Sequence, residues 1–255
     1  MQIAIVTGAS SGLGRLYVYA LNQEGLDEIW VIARREKKLQ ELAEKIETPL
    51  RLLPLDLASI DSIEAIRQEL SCTRPIVKYL VNAAGIGYTG STSEMHLQEL
   101  CSLIDLNCRA AAAIVQVALP HIPPTGKILN ICSCAAFHPI PYLNVYSATK
   151  SFLLSYSQAL HEELLPQGIH VTAVCPYWIS NTEFIEKIIQ GSAPSGFTRF
   201  PFAQEAEDIV LRSLRGAKNN IAVVTPSLLA SLHHLLSCLL PHELLMFFSN
   251  LIHKK

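Results

Sequence analysis

Charged residues are scarce in this sequence, and that scarcity narrows the possible functions. Only 16% of the 255 residues are Asp, Glu, Lys or Arg, and the formal net charge is −2, whereas about 25% charged is usual for a globular domain. The lysines and arginines are scattered and form no basic stripe, which argues against a nucleic-acid partner. Hydrophobic residues make up 50% of the chain, enough for a buried core with apolar surface left for a partner, an apolar ligand or a membrane face.

The chain also lacks the spacings typical of disulfide frameworks and metal sites. Its seven cysteines are odd in number and include no Cys-x-x-Cys pair, which favours reduced thiols. Among nine histidines, His233 and His234 are adjacent, but neighbouring side chains on a helix point about 100° apart and make a poor chelating pair. No charged, apolar leader precedes the first apolar segment, and no uninterrupted apolar run approaches the roughly 20 residues of a membrane helix. We therefore expect a cytoplasmic protein.

Short apolar segments alternate with longer amphipathic ones, the pattern of a parallel sheet joined by right-handed crossovers. The predicted strands are 2–6, 28–33, 50–55, 78–82, 127–131, 169–175 and 220–224. The predicted helices are 13–24, 36–46, 60–70, 94–120, 144–165, 183–190 and 203–215. The sequence therefore predicts an α/β fold, a single-domain doubly wound parallel sheet of about seven strands with helices on both faces, over residues 1–225.

A glycine-rich turn follows the first predicted strand and runs directly into a helix. Its glycines are spaced G-x-x-x-G-x-G rather than G-x-G-x-x-G. Such a turn lets the backbone approach a pyrophosphate, while the N–H groups and positive end of the helix face the anion. The strand–turn–helix context favours a dinucleotide-phosphate site over an ordinary loop. The turn consists of Thr7, Gly8, Ala9, Ser10, Ser11, Gly12, Leu13 and Gly14.

The residues after the second and third predicted strands bear on the identity of the dinucleotide. Arg34 and Arg35 follow the second strand, where a carboxylate would bind the ribose hydroxyls of NAD and an arginine would accept the 2′-phosphate of NADP. Because arginine suits bidentate phosphate contact, NADP(H) is the favoured cofactor; a solvated, charged helix start is the alternative. Asp56 and Leu57 follow the third strand and either contact the adenine amino group or begin the next helix.

Small residues end the fourth predicted strand. They leave room for a ligand above the carboxyl end of the strand, where open α/β sheets bind cofactors. We therefore add them to the candidate cofactor site. These residues are Asn82, Ala83, Ala84 and Gly85.

Tyr146 and Lys150 lie four residues apart in a predicted helix, so their side chains share one face. A lone Y-x-x-x-K is a common chance pattern, and its context decides its meaning. Ser133 comes just after a predicted strand. Asn107 lies in the middle of an apolar helical segment, where a functional amide and a structural hydrogen bond to the backbone are both open.

These motifs together resemble the short-chain dehydrogenase/reductase family over roughly residues 3–182. The resemblance rests on TGASSGLG at 7–14, NAAG at 82–85, YSATK at 146–150, and the single residues Asn107 and Ser133. It implies a Rossmann-like fold and a catalytic tetrad in which Tyr146 is the general acid/base and Ser133 the carbonyl anchor. Lys150 would lower the Tyr146 pKa and hold the nicotinamide ribose, and Asn107 would hold a water. Dimers and tetramers are common in this family, so we expect a homodimer or homotetramer.

The chemistry of these side chains agrees with that resemblance. Hydride delivery to a carbonyl creates an alkoxide that needs a proton. A free tyrosine has a pKa of about 10, which a nearby ammonium and the cationic oxidised nicotinamide both lower. A serine hydroxyl can donate to the developing oxyanion. We expect an NADP(H)-dependent oxidoreductase acting on a small-molecule carbonyl or secondary alcohol. The alternatives are a non-catalytic NADP(H)-binding sensor or scaffold and, less favoured, an epimerase using the same Tyr–Lys pair.

The segment after the sixth predicted strand departs from the family pattern. Pro176 is followed by tyrosine where the family usually has glycine, and the expected threonine comes one position late, at Thr182. We expect Pro176, Ile179 and Thr182 to lie near the nicotinamide carboxamide. Residues 138–142 and the phenylalanine-rich stretch 183–202 predict a wall and lid for an apolar ketone; ordinary core packing is the alternative.

Residues 226–255 predict two apolar helical stripes separated by Pro241. Each stripe is too short to span a bilayer. We expect this C-terminal extension to be buried against the domain or a neighbouring subunit. Peripheral contact with a membrane surface is the alternative.

Overall fold

The protein folds around one parallel β-sheet. The computed structural model describes residues 1–180, residue 183 and residues 203–253. In this part of the chain the strands follow the order β3-β2-β1-β4-β5-β6-β7, which confirms the predicted α/β fold. The strands are β1 (Gln2–Thr7), β2 (Glu28–Ile32), β3 (Leu50–Leu53), β4 (Ile76–Asn82), β5 (Lys127–Ile131), β6 (His170–Val174) and β7 (Val223–Val224).

Helices cover both faces of the sheet, as predicted. On one face α1, α2 and α7 form a core layer with the sheet, and on the other α3, α5 and α6 do so. Within β1, Ala4 and Val6 face the first layer while Ile3 and Ile5 face the second, which is why the strand reads as a continuous apolar run. The helices are α1 (Gly12–Leu21), α2 (Glu36–Ala43), α3 (Ile60–Thr73), α4 (Leu97–Ile104), α5 (Ala111–Ala118), α6 (Asn144–Leu164), α7 (Ala206–Lys218), α8 (Leu228–Leu239) and α9 (His242–His253).

The sheet order creates a crevice between β1 and β4. The chain winds outward from β1 through β2 to β3 and then returns to place β4 on the other side of β1. The connections that leave β1 and β4 therefore run in opposite directions and separate above the carboxyl ends of these strands. This reversal of strand order is the position at which open α/β sheets bind ligands.

The helix predicted over 94–120 is not one regular α-helix. Between α4 and α5 the segment Asp105–Ala110 is π-helical, and Leu119–His121 is a 3₁₀ turn. The whole run Leu97–His121 is long and apolar enough to cross a membrane by length and composition alone. However, Ile114, Val115 and Ala118 pack into the core beside the sheet. The run is therefore a core element of the fold, interrupted where the backbone switches from i→i−4 to i→i−5 hydrogen bonds.

Four other predictions concern the region after β6. The predicted helix 203–215 is found as α7, Ala206–Lys218, and the predicted strand 220–224 shortens to Val223–Val224. The predicted helix 183–190 and the phenylalanine-rich stretch to 202 lie outside the described residues, apart from Glu183.

The C-terminal extension forms two helices, α8 and α9, which end and begin around Pro241 as expected. Ala230 is fully buried against the domain. The opposite face of α8 is not buried: Leu228 is 86% exposed and Leu239 70% exposed. The chain's own domain therefore does not cover this face, and its burial against a neighbouring subunit stays a prediction. The exposed apolar side chains of the extension are Leu228, Leu232, Leu235, Leu236, Leu239, Leu244 and Phe247.

A buried pair of hydroxyls joins α1 to α7 and predicts an asymmetric response to mutation. The Tyr17 and Ser213 hydroxyl oxygens are 2.5 Å apart, and Ser213 donates to the Val210 carbonyl at 2.8 Å, so Tyr17 is the donor in the pair. We expect Ser213→Ala to lower the free energy of unfolding by about 1–3 kcal/mol, because it leaves a buried donor unpaired, and Tyr17→Phe to lower it by only about 0.5–1.5 kcal/mol. Urea denaturation measures both values.

The double variant is the control for this prediction. Tyr17→Phe combined with Ser213→Ala removes both partners, so it should be more stable than Ser213→Ala alone. Equal losses for the two single variants, or a double variant that loses the sum, would contradict the assignment of donor and acceptor.

Candidate active site

A cleft of about 320 Å³ opens above the carboxyl ends of the central strands. Most residues that the sequence pointed to meet there, although they come from separate parts of the chain. The fold therefore assembles one site from the glycine turn, the β2 and β4 ends and α6. The sequence-predicted residues that line the cleft are Gly8, Ser10, Ser11, Gly12, Leu13, Gly14, Arg34, Arg35, Asp56, Leu57, Ala83, Ala84, Gly85, Ser133, Tyr146, Lys150, Pro176 and Ile179.

The glycine turn is packed too tightly for side chains. Gly8 has a φ of +69°, and a Cβ there would lie 2.8 Å from the Ala84 backbone nitrogen. A Cβ at Gly14 would meet the carbonyl oxygen of Gly8. The turn therefore brings backbone directly against the end of β4 and aims the first N–H groups of α1 into the cleft, the geometry that suits a pyrophosphate.

Thr7 and Asn82 were predicted to contact the cofactor, but the structure does not bring their side chains to the cleft. The Thr7 hydroxyl donates to the Val81 carbonyl at 3.4 Å and accepts from the Ala84 N–H at 3.0 Å. Asn82 Nδ2 donates to Asn130 Oδ1 at 2.9 Å and to the Ala111 carbonyl at 3.2 Å. Both side chains are almost fully buried, and they fix the backbone behind the cleft. Thr182 lies outside the described residues.

Two guanidinium groups stand at the end of the cleft beside the glycine turn. Arg35 donates to Ser10 Oγ from Nε at 3.2 Å and from Nη2 at 3.1 Å, and its Nη1 donates to Glu183 at 2.7 Å. Arg34 Nη1 lies 3.9 Å from an Asp56 carboxylate oxygen. A phosphate at this position would meet two cations and a hydroxyl. Glu183 was not singled out in the sequence, because nothing in its local pattern places it beside Arg35.

Tyr146 and Ser133 form the centre of the cleft. Ser133 caps the 3₁₀ turn Cys134–Ala136, where its Oγ accepts from the Ala135 N–H at 3.1 Å, and it also hydrogen-bonds the Tyr146 hydroxyl. Tyr146 is only 6% exposed. Burial raises the pKa of the Tyr146 hydroxyl, and the bond from Ser133 offsets this only in part. Tyr146 is therefore a protonated phenol at neutral pH and can serve as a proton donor.

Lys150 lies one helical turn beyond Tyr146 on α6. Its Nζ donates to the Ile131 carbonyl at 2.7 Å and sits 5.7 Å from the centre of the Tyr146 ring. Burial lowers the pKa of Lys150. Burial is the largest influence on the Tyr146 pKa in the structure, so the lowering expected from Lys150 and the oxidised nicotinamide stays a prediction.

Asn107 lies within the π-helical segment, on the same side of Gly85 as Lys150. Its Oδ1 accepts from the Ile86 N–H at 3.0 Å, and its Nδ2 donates to the Ile86 carbonyl at 2.9 Å and to Thr149 Oγ1 at 3.1 Å. A Cβ on Gly85 would lie 3.2 Å from Asn107 Oδ1 and 3.5 Å from Lys150 Nζ. The structural hydrogen bond that the sequence left open is therefore present, and it holds the amide close to the Lys150 ammonium.

Three buried thiols surround Ser133 and Tyr146. Cys132, Cys134 and Cys175 are each at most 4% exposed, and Cys134 Sγ lies 3.5 Å from the Cys175 carbonyl. Burial raises the pKa of Cys134 to about 12, so this thiol is protonated and acts as a packing group. Among the described residues no cluster of three His, Cys, Asp or Glu side chains could hold a metal ion.

The far end of the cleft is lined by residues that sequence reasoning did not assign individually. Ile140 and Leu143 precede α6, Tyr177 and Trp178 follow β6, and His233 comes from α8. The Tyr177 N–H donates to Gln204 Oε1 at 3.1 Å, and Ile179 pairs with Gln204 in a parallel bridge. His233 comes from the C-terminal extension, which no sequence motif connects to the Ser133 segment.

Comparison with known proteins gives matches over most of the chain. The family described as short chain dehydrogenase matches residues 2–192. A very-long-chain 3-oxoacyl-CoA reductase of Meyerozyma guilliermondii is 33% identical over 242 residues, which cover 88% of this chain and 68% of the relative.

Two solved structures share the fold over the same extent. A short-chain dehydrogenase of Sphingobium yanoikuyae in complex with NADPH has a TM-score of 0.77 and 29% identity, covering 89% of this chain and 88% of that one. The bulky-bulky ketone specific alcohol dehydrogenase of Comamonas testosteroni has a TM-score of 0.73 and 26% identity, covering 89% and 87%.

Proposed function

This chain belongs to the short-chain dehydrogenase/reductase family, whose members interconvert carbonyl and alcohol groups with NAD(P)(H), and we propose that it uses NADP(H) to reduce an apolar ketone or oxidise the matching secondary alcohol. The observation that carries the proposal is the buried, protonated Tyr146 hydroxyl hydrogen-bonded to Ser133 in the wall of the cleft. A ketone oxygen placed between these two hydroxyls would accept a hydrogen bond from each.

The residues present fit a dinucleotide. The tight glycine turn offers backbone N–H groups where a side chain at Gly8 would collide with the Ala84 backbone, and the cleft continues from there to Tyr146. When bound, the nicotinamide supplies the hydride. Tyr146 then gives its proton to the alkoxide oxygen, and Ser133 stabilises the negative charge that develops there. Lys150 lies beside Tyr146 and would hold the ribose.

The preference for NADP(H) over NAD(H) rests on charge at the end of the cleft. Arg34 and Arg35 both line this end, and Ser10 lies within hydrogen-bond distance of Arg35. A 2′-phosphate would replace the pairing of Arg35 with Glu183, because a phosphate offers more acceptor oxygens than one carboxylate. The NADPH-bound relative from Sphingobium yanoikuyae supports this choice.

The apolar character of the substrate rests on the far end of the cleft. Ile140, Leu143, Tyr177 and Trp178 present mostly carbon surface there, which favours a bulky apolar group next to the reacting carbonyl. The alcohol dehydrogenase from Comamonas testosteroni, which is specific for bulky-bulky ketones, supports the choice of a bulky substrate. A non-catalytic NADP(H) sensor is the rival function, and the presence of Ser133, Tyr146 and Lys150 in the wall of one cleft, with Asn107 beside Gly85, favours the enzyme.

Tyr146→Phe tests the proposed reaction. We expect kcat for reduction of bulky apolar ketones to fall by about 100-fold or more, because the proton donor is lost, while NADPH still binds. Loss of NADPH absorbance measures turnover, and fluorescence titration measures binding. Equal activity of wild type and variant across a ketone panel would favour the sensor; a marked preference of the wild type for small charged ketones would contradict the apolar substrate.

Arg35→Ala tests the choice of cofactor. We expect the Kd for NADPH to rise by roughly 10- to 100-fold, the value of a charge-assisted hydrogen bond or two, with little change for NADH. Lys37→Ala is the matched control, because Lys37 is an exposed cation two residues away that does not line the cleft. A wild type that binds NADH as tightly as NADPH would contradict the assignment.

We also propose that the protein is a cytoplasmic homo-oligomer that covers the exposed face of α8 and α9. The seven cysteines are free thiols, which suits a reducing compartment. Leu228, Leu232, Leu235 and Leu239 follow one another along one face of α8, and all are exposed. Association of copies through this face would remove these leucines from water.

Charge placed on that face tests the assembly. We expect Leu232→Glu combined with Leu239→Glu to reduce the mass measured by light scattering, because a buried carboxylate opposes association. Leu211→Glu, on the exposed side of α7, is the control and should leave the mass unchanged. A wild-type monomer that binds lipid vesicles through the extension would overturn the proposal in favour of a membrane surface.

A further inference from the structure

The C-terminal extension contributes a hydrogen-bonding ring to the far end of the cleft. His233 of α8 lines this end together with the carbon-rich side chains of Ile140, Leu143 and Trp178. A wall of that kind selects a ligand by shape and apolar contact, and the few polar groups in it fix orientation. The reaction proposed above makes no use of His233.

The His233 ring is held from two sides by the segment that carries Ser133. His233 Nε2 lies 2.9 Å from His138 Nδ1, and the ring meets Phe137 edge-on, with ring centres 5.6 Å apart. Phe137 and His138 are themselves buried. They follow directly after the 3₁₀ turn that Ser133 caps. One short, buried stretch of backbone therefore sets the separation between the Ser133 hydroxyl and the His233 ring.

Both histidines are neutral at neutral pH. Burial lowers the pKa of His138, and burial together with the neighbouring His138 and His234 lowers that of His233 to about 4. In a neutral pair one ring nitrogen donates and the other accepts. Nδ1 of His233 consequently carries a proton in one arrangement and a lone pair in the other. Within the residues described by the structure, this nitrogen makes no hydrogen bond.

A hydroxyl group suits both arrangements. The hydroxyl oxygen accepts a hydrogen bond when His233 Nδ1 carries a proton, and the hydroxyl donates one when that nitrogen has a lone pair. A ketone or ether oxygen would fit only the protonated Nδ1, and a charged group would leave its charge unpaired beside neutral rings.

We propose that His233 is a specificity-determining residue that binds a hydroxyl group of the substrate, so that the substrate is an apolar ketone with a hydroxyl remote from the reacting carbonyl. This inference rests on the proposed function, because Tyr146 and Ser133 fix the carbonyl end. His138 is a positioning residue, which acts by holding the His233 ring.

Methyl ketones of increasing chain length, each with and without a terminal hydroxyl, test how far the hydroxyl lies from the reacting carbonyl when both ends are bound. With NADPH as reductant, we expect kcat/KM of the wild type to favour the hydroxyketone by about 3- to 10-fold at one chain length, the value of one hydrogen bond. At shorter and longer lengths the ratio should approach one, because the separation of Ser133 and His233 is fixed.

Two pairs of variants assign the effect to named atoms. His233→Phe should reduce the ratio to about one at every length, whereas His234→Phe should preserve it, because His234 stacks on Phe137 without lining the cleft. His138→Asn retains a polar group near the Nδ1 position and should keep most of the preference. His138→Phe should reduce it, while NADPH affinity stays the same in all four variants.

The outcomes separate this inference from the proposed function. If the wild type reduces the plain ketones but shows no hydroxyl preference at any length, the role of His233 is wrong and the oxidoreductase stands. A preference that survives in His233→Phe also overturns it. Failure to reduce every ketone in the series, in a protein that does not bind NADPH, would overturn the proposed function itself.

Discussion

The removal of the Tyr146 hydroxyl from water is the constraint on which the cleft depends. A phenol in this environment keeps its proton, because the anion would lose its hydration and gains only one compensating hydrogen bond from Ser133. Lys150 is buried under the same conditions, and its ammonium is held by the Ile131 carbonyl. The protein thus stores a proton donor and a cation side by side, and the arrangement favours proton donation over proton abstraction until further positive charge arrives in the cleft.

Such burial is tolerated because the surrounding polar groups are paired. Asn82 and Asn130 stand opposite each other on β4 and β5, and Asn130 Nδ2 donates to Ser157 on α6 at 2.9 Å. A shift of either strand would break this chain and leave buried amides unpaired, which costs several kilocalories per mole. The same network therefore fixes the register of the central strands and the position of α6, the helix that carries Tyr146 and Lys150.

Much of this arrangement could be predicted from the sequence, because it follows from local patterns. The alternating apolar segments predicted the strands. The motifs that follow those strands lie at one edge of the sheet, because parallel strands all end at the same edge. The failures concern properties that depend on distant residues. Thr7 and Asn82 belong to the right motifs, but the motif does not say that their side chains face inward. His233 comes from a helix that the cleft motifs do not include.

The π-helical segment Asp105–Ala110 has a consequence for how this chain tolerates changes in length. A π turn holds one more residue than an α turn, so deletion of a single residue there would restore a continuous α-helix from α4 into α5. Every side chain before the deletion would then rotate by about 100° relative to the core that α5 anchors. Asn107 would swing away from Ile86, whose backbone it now pairs. Natural insertions and deletions should therefore spare these six positions and accumulate instead in surface loops.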